Sequence, residues 1–358
     1  MRRLRNLGMV ALCTVALLAV SGIASDSQPI DFYFMADEGV ELISATQSAQ
    51  SIALLLSLRS GLPISASVTQ DVSSIETALR DGDKSVVMFL RWDAYIHLRS
   101  QVDGLEAVTA SVESTTPGRP ECYYWMSCFY ASSDSEFQSL QDCAGKVWIH
   151  GKQTSHSSYI IPQAVFAASG LMPLESIETR NQYECMVALL EGEGDFCTGF
   201  GIPFEPRRAP LSEQLSEHSV AGALGIWDRS SAISGPIDIQ WEGADLRQNV
   251  EDEYPDVWSR INIFFVSSPL PFHCVAVHGV AESSTDTLVA AIAKGLESSW
   301  ELGLWSDLIS FDVRGMQLVT DESFDFARLV IDSPILAERF PLVLGYTGTE
   351  AVTLLDLP

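Results

Sequence analysis

VWIHGKQTSHSSYIIPQAVFAASGL, residues 147–171, reads as a short buried strand, a polar loop and a helix. Val147, Trp148 and Ile149 are the apolar strand, and Val165, Phe166, Ala168 and Leu171 recur at helical spacing. Gly170 and Pro173 stop the run. Proline has no N–H to give and is tolerated in a first turn, so Pro162 predicts a helix starting near Ser158. Thr154, Ser155, His156 and Ser157 then stand at its mouth. Unpaired backbone N–H groups and the positive end of the dipole, beside several hydroxyls, make an anion cradle. Ordinary N-capping by serine explains the same residues.

Working outward, Ile30 to Phe34 is a strand, Ala45 to Leu58 an amphipathic helix stopped by Gly61-Leu62-Pro63, and Ile64 to Val68 a second strand. Val72 to Leu79 is a short helix, Asp81-Gly82-Asp83 a turn, and Ser85 to Leu90 a third, buried strand. This βαβαβ order predicts a parallel sheet with ligands at the carboxyl ends of its strands. Tyr123 to Ala131 is strand-like and precedes a helix carrying Phe137 and Leu140. A second α/β unit begins at Gly145, with a helix from Tyr183 to Leu190 and a Gly192 to Asp195 turn into another strand. Residues 205–257 read as an irregular excursion, with order returning at Arg260. Ile261 to Val266 and Cys274 to Val277 are strands, and Ser284 to Trp300 is a helix. Pro334 to Pro358 carries no clear signal.

The chain has 358 residues, 47% of them apolar, enough for two packed lobes and too apolar for a disordered protein. Residues 1–25 have a basic start and an apolar run from Leu7 to Val20, the pattern of an export signal or an uncleaved membrane anchor. Removing them takes three arginines and moves the net charge from −26 to −29. A surface so acidic repels nucleic acid, and an anionic ligand must be held by local dipoles and hydroxyls. Six cysteines remain, at 122, 128, 143, 185, 197 and 274. In an exported protein an even number suggests disulfides, although buried thiols fit too.

The run TSHSSYIIPQAVFAASGL, preceded by Leu140, Asp142, Gly145 and Lys146, resembles the substrate-binding family of phosphate, phosphite and phosphonate ABC transporters. Ala78 to Asp83 leading to Val86 to Leu90 with Ala94-Tyr95, and the Ser267-Ser268-Pro269-Leu270-Pro271 connection, agree with it. The resemblance implies an α/β, two-lobed periplasmic binding protein type 2 fold, each lobe a mostly parallel sheet flanked by helices. It implies residues 26–120 in lobe 1, 121–270 in lobe 2 with its insertion, and 271–358 returning to lobe 1. Small oxyanions are held in the cleft of that family by a Ser-Thr-Ser-type loop, which places Ser155, His156, Ser157 and Ser158 on the ligand. Here His156 stands for the usual threonine and Ser158 for the usual glycine. Gln182 lies where a histidine often helps hold the ligand, and Arg91-Trp92 where a small residue is commoner.

Trp92, Tyr95, Trp125 and Tyr159 are candidate cleft walls, although aromatics more often fill cores. Closure brings the loop toward Met35 to Glu38 and Arg91-Trp92, about hinges near 118–122 and 268–273. Asp195 reads as a structural cap or a partner for a ligand amine. His273 and His278 point to opposite faces and do not share a metal. Gly145-Lys146 to Gly151-Lys152 fails as a phosphate-binding P-loop because its intervening segment is apolar strand. No carboxylate partner is identifiable for His156, so hydrolysis has little support. The expected function is capture of a phosphonate-like or phosphate-like oxyanion outside the cytoplasm and delivery to an ABC transporter permease. No cofactor, metal or nucleic acid is called for, and the membrane is met through the transporter or an uncleaved leader. The alternatives are a sulfonate or thiamine-precursor binder, a sensor module and, behind these, a hydrolase.

Overall fold

The computed structural model describes residues 29–36, 40–80, 84–114, 122, 124–202, 244–280, 285, 287–292, 304, 305, 308 and 312–331. The leader, the 81–83 turn, most of the first hinge, residues 203–243 and the chain beyond Ile331 lie outside them, as does most of the helix expected over Ser284 to Trp300. Among the described residues no helix is long and apolar enough to cross a membrane.

The first lobe opens with β1 (Ile30–Met35), α1 (Leu42–Ser60), β2 (Ile64–Thr69), α2 (Val72–Arg80) and β3 (Ser85–Leu90). Helix α1 buries Ala45, Ala49, Ile52, Ala53 and Leu56, one stripe at helical spacing, against the sheet. It ends at Gly61, whose φ of 72° lets its N–H cap Ser57 O. From β3 the chain turns into α3 (Trp92–Gln101), then β4 (Glu106–Ser114). The second lobe holds β5 (Tyr124–Ser132), β6 (Val147–His150), α4 (Ile161–Ser169), β7 (Glu175–Glu178), α5 (Gln182–Leu190), β8 (Phe196–Ile202), β9 (Ala244–Asp245), α6 (Val257–Arg260) and β10 (Ile261–Val266). The return runs through β11 (Leu270–Pro271) to β12 (Cys274–His278), β13 (Asp312–Leu318) and α7 (Asp325–Ile331).

The first sheet has the order β13-β4-β12-β3-β1-β2, and the second β10-β5-β8-β6-β7 with β11 on β5 and β9 on β8. The α/β architecture with two lobes is as expected, but the sheets are mixed rather than mostly parallel. Strands β1, β2 and β3 run parallel, as do β6, β7 and β8, while β12 is antiparallel to β3 and β5 to β8. The reason is topological. A strand arriving from the other lobe enters at the carboxyl ends of the parallel strands and must run against them.

Three local expectations are corrected. The helix expected around Phe137 and Leu140 is a single 3-10 turn, Leu140–Cys143, closed by a Ser139–Asp142 capping box. Order returns at Ala244 rather than Arg260, because Leu246, Val250 and Val257 are buried in the second lobe and Asp245 and Arg247 form a buried ion pair. All six described cysteines are buried and none is in a disulfide, so the even count reflects core packing.

The excursion leaves β8 and re-enters on β9, with Ile202 directly opposite Ala244. Its ends are therefore already closed by a ladder, and a short turn spans them. Replacing residues 203–243 by a four-residue Asn-Gly-containing turn is expected to leave far-ultraviolet circular dichroism and cooperative unfolding intact. An insoluble or non-cooperative product would show that the segment belongs to the core.

Candidate functional site

Both halves of the site sit at strand carboxyl ends: the loop after β6 in the second lobe, and Arg91 to Asp93 after β3 in the first. The helical path begins earlier than Pro162 suggested. Ser155 is the cap, with extended backbone and an Oγ that accepts from Ser158 N at 3.4 Å, and a π-helical turn spans His156–Ile160 before α4. Ile160 N donates to Ser155 O at 3.0 Å and Ile161 N to His156 O, both five residues back.

This register frees two carbonyls. Ile161 N bypasses Ser157 O, and Pro162 has no N–H for Ser158 O. Neighbouring strands fill both places: Ser127 Oγ donates to Ser157 O and Thr198 Oγ1 to Ser158 O, each at 2.6 Å. Ser127 is also bound to the return connection, its N–H donating to Ser267 Oγ at 2.9 Å and its carbonyl accepting from Ser267 N at 2.8 Å. The loop is thus tied to β5 and β8, and through Ser127 to the connection that returns to the first lobe.

Gln182, the first residue of α5, lies beside the loop. Its Oε1 accepts from Phe200 N and its Nε2 donates to Ser157 Oγ, both at 3.0 Å. Ser158 is fully buried, and its Oγ accepts from Gly151 N at 2.5 Å. A Cβ at Gly151 would come within 3.1 Å of that oxygen, so glycine leaves the hydroxyl room that a side chain there would take only by displacing it a few tenths of an ångström.

The structure joins Ser155, Ser157, Ser158 and Gln182 into one cluster, with His156 beside them facing the first lobe. His156 Nε2 lies 3.5 Å from Asp93 Oδ2, and the ring is 5.2 Å from that of Trp92. Asp93 is 0% exposed and held by Arg91, Nε to Oδ1 at 3.1 Å and Nη2 to Oδ2 at 3.2 Å. Burial by itself raises the Asp93 carboxyl, but the charge of Arg91 and the proximity of His156 outweigh it and hold it far below the usual carboxylate range. The carboxylate that the sequence did not identify for His156 is therefore Asp93.

The aromatic candidates divide. Trp92 meets His156, whereas Tyr159 stacks on Trp148 with centroids 5.4 Å apart in the second-lobe core, and Tyr95 is buried against Phe324 with its hydroxyl on Asp321. Trp125 is buried on β5 opposite Leu270 of β11, on the strand pair that returns to the first lobe. Asp195 accepts from Val147 N at 2.7 Å, the structural cap. Sequence reasoning passed over Asp93, Ser127 and Thr198. Their signals were faint: an acid in the first turn of a helix and small hydroxyls inside the apolar strands YWMSCFYAS and FCTGFGI.

The family model described as ABC transporter, phosphonate, periplasmic substrate-binding protein matches residues 43–298, well over half of the chain. No curated protein matches in sequence. Among solved structures, the binding protein component of an ABC phosphonate transporter from Pseudomonas aeruginosa is 15% identical, covering 91% of this chain and 92% of that one, with a TM-score of 0.39. A Prochlorococcus marinus protein in complex with methylphosphonate is 10% identical over 85% of this chain and 96% of that one, TM-score 0.39. A Xanthomonas citri protein bound to chloride ion is 10% identical over 87% of this chain and 100% of that one, TM-score 0.48.

Proposed function

This chain belongs to the family of periplasmic substrate-binding proteins of phosphonate ABC transporters, and from that premise we propose that it captures a small phosphorus oxyanion between its lobes. It works outside the cytoplasm, after export on the 1–25 leader, and hands the ligand to a transporter permease. The ligand is a phosphonate, phosphite or phosphate-like ester held by Ser155, His156 and Ser157, with Ser158 and Gln182 supporting them from behind and Trp92 and Trp125 as walls.

The observation that carries this reading is the orientation of Ser157. Because Phe200 N–H fixes the Gln182 amide with its oxygen turned away, the amide nitrogen faces Ser157 Oγ and occupies a lone pair there. A hydroxyl whose lone pair is taken still has its O–H to give. Ser155 Oγ likewise accepts from Ser158 N and keeps its proton for another partner. The first N–H groups of a helical path have no partner within it, and here they belong to His156 and Ser157. Two hydroxyl donors and two amide donors at the positive end of a dipole suit an oxyanion and little else. An acidic protein needs such a local array, because its overall field opposes anion binding.

Ligand that touches both lobes draws them together, with Arg91 to Asp93 approaching the loop. A thermal-shift screen of the mature protein against phosphate, phosphite, alkylphosphonates, sulfonates and thiamine precursors tests the reading. A ligand at 100 times its dissociation constant adds about 2.7 kcal/mol to the folded state. A shift with one phosphorus oxyanion is the expected result. Silence across the panel, or a shift with a thiamine precursor alone, would end the proposal.

A further inference from the structure

The geometry around Asp93 says which ring nitrogen of His156 carries a proton. Asp93 is fully buried and ionised, and Arg91 grips both of its oxygens. An ionised carboxylate accepts hydrogen bonds and donates none. His156 Nε2 is itself buried, 3.5 Å from Asp93 Oδ2 and without a hydrogen bond in this arrangement. A bare Nε2 there would set its lone pair against that of an anion, so the proton belongs on Nε2 and points at Asp93. In the neutral ring the lone pair then resides on Nδ1. The 3.5 Å separation is at the outer edge of hydrogen-bond range. Asp93 and His156 stand on different lobes, so closure on a ligand shortens it.

Resting on the oxyanion reading above, we propose that Asp93 is a positioning residue that holds His156 as a hydrogen-bond acceptor toward the ligand. The site then takes phosphorus oxyanions that still carry an acidic proton and rejects sulfur oxyanions, which carry none. A P–O–H donates to Nδ1, whereas a sulfonate oxygen sets a second lone pair against it and leaves the nitrogen unmatched. Among the described residues, Asp93 is the charged group against the ring, with Arg91 bound to it. Cys274 lies near Asp93 and stays a neutral thiol, because burial and the adjacent carboxylate both push its pKa up. The indole of Trp92 covers the ring from the same helix and carries no charge.

Calorimetric titration of the full mature chain with methylphosphonate and methanesulfonate near neutral pH tests this. Wild type is expected to prefer methylphosphonate by on the order of 100-fold or more, since a site with a committed polar group rejects an analogue that cannot match it. His156→Thr, whose hydroxyl donates as readily as it accepts, narrows the preference to within about tenfold. Asp93→Asn narrows it too, because the amide can donate to Nε2 and release the tautomer, and it has no further effect in the His156→Thr background. Equal wild-type affinity for the two anions, or a preference that both variants leave unchanged, would overturn the proposal. Ring carbon and nitrogen NMR signals of His156 in the ligand-free protein give a reading that needs no ligand. They should report protonation at Nε2 with a bare Nδ1 in wild type, and a change of tautomer in Asp93→Asn. If neither anion binds, the oxyanion reading fails, yet an Nδ1-protonated ring in wild type would still refute the role of Asp93.

Discussion

Replacing Ser155 and Ser157 together by alanine is expected to abolish oxyanion binding while leaving the protein folded. A hydrogen bond to a charged group contributes about 1.5–3 kcal/mol, so losing two weakens binding by roughly 10²- to 10⁴-fold. The structural cost is smaller. Ser155 supplies one long cap bond to Ser158 N, and such caps contribute about 1 kcal/mol. Ser157 Oγ accepts from Gln182, whose amide stays anchored by Phe200 N. Ser158→Ala is the informative contrast. Its hydroxyl takes the buried Gly151 N–H, so its loss is expected to destabilise the fold by about 1–3 kcal/mol. Titration with methylphosphonate and thermal unfolding of the same samples separate the two effects. Undiminished affinity in the double variant would reduce the loop to a helix cap.

Arg247→Ala is expected to give the largest loss of stability. Asp245 is 0% exposed, and Arg247 holds it with Nε to Oδ1 at 3.0 Å and Nη2 to Oδ2 at 2.8 Å. The same guanidinium donates to Ile261 O at 3.0 Å and lies 4.4 Å from the Trp258 ring. Burial lowers the Arg247 pKa, but Asp245 outweighs it and the guanidinium stays charged. Alanine leaves a buried carboxylate with no countercharge, which costs about 3–5 kcal/mol. For a lobe of this size that is a fall in unfolding midpoint of roughly 10 °C. Arg247→Lys keeps the charge but loses the fork and should fall between. A change below about 1 kcal/mol in the alanine variant would mean that water relieves the carboxylate and that the pair is not sealed. The predicted place of the damage is the turn after β9, which Arg247 ties to Ile261 of β10.

Much of the fold was legible because its signals are local. Hydrophobic spacing over Ala45 to Leu58, the Gly61 stop, and the short apolar strands at 30, 64, 85 and 261 depend on neighbours within a few residues. The structure places elements there within two or three residues. The failures were non-local. Phe137 and Leu140 suggested a helix, but Phe137 packs against Phe196 and Phe264 of other strands, and a capped 3-10 turn satisfies the backbone instead. The cysteines counted as an even set, but their positions in separate parts of the cores were invisible. The segment from 244 looked polar because two of its charges, Asp245 and Arg247, neutralise each other inside the protein.

The sequence by itself determined the βαβ order, the strand–loop–helix at 147–171 and the run of hydroxyls at a helix mouth, because backbone chemistry and side-chain period act over one turn or one strand. Only the tertiary structure decided that the sheets are mixed, since strand direction follows from where a crossing chain enters. It alone set Gln182 behind Ser157 and brought Asp93 to His156, contacts across 25 and 63 positions of the chain, which no periodicity encodes. The hydroxyls could be read as donors or acceptors until their neighbours were known. What makes them donors is the set of N–H groups that already occupy their lone pairs.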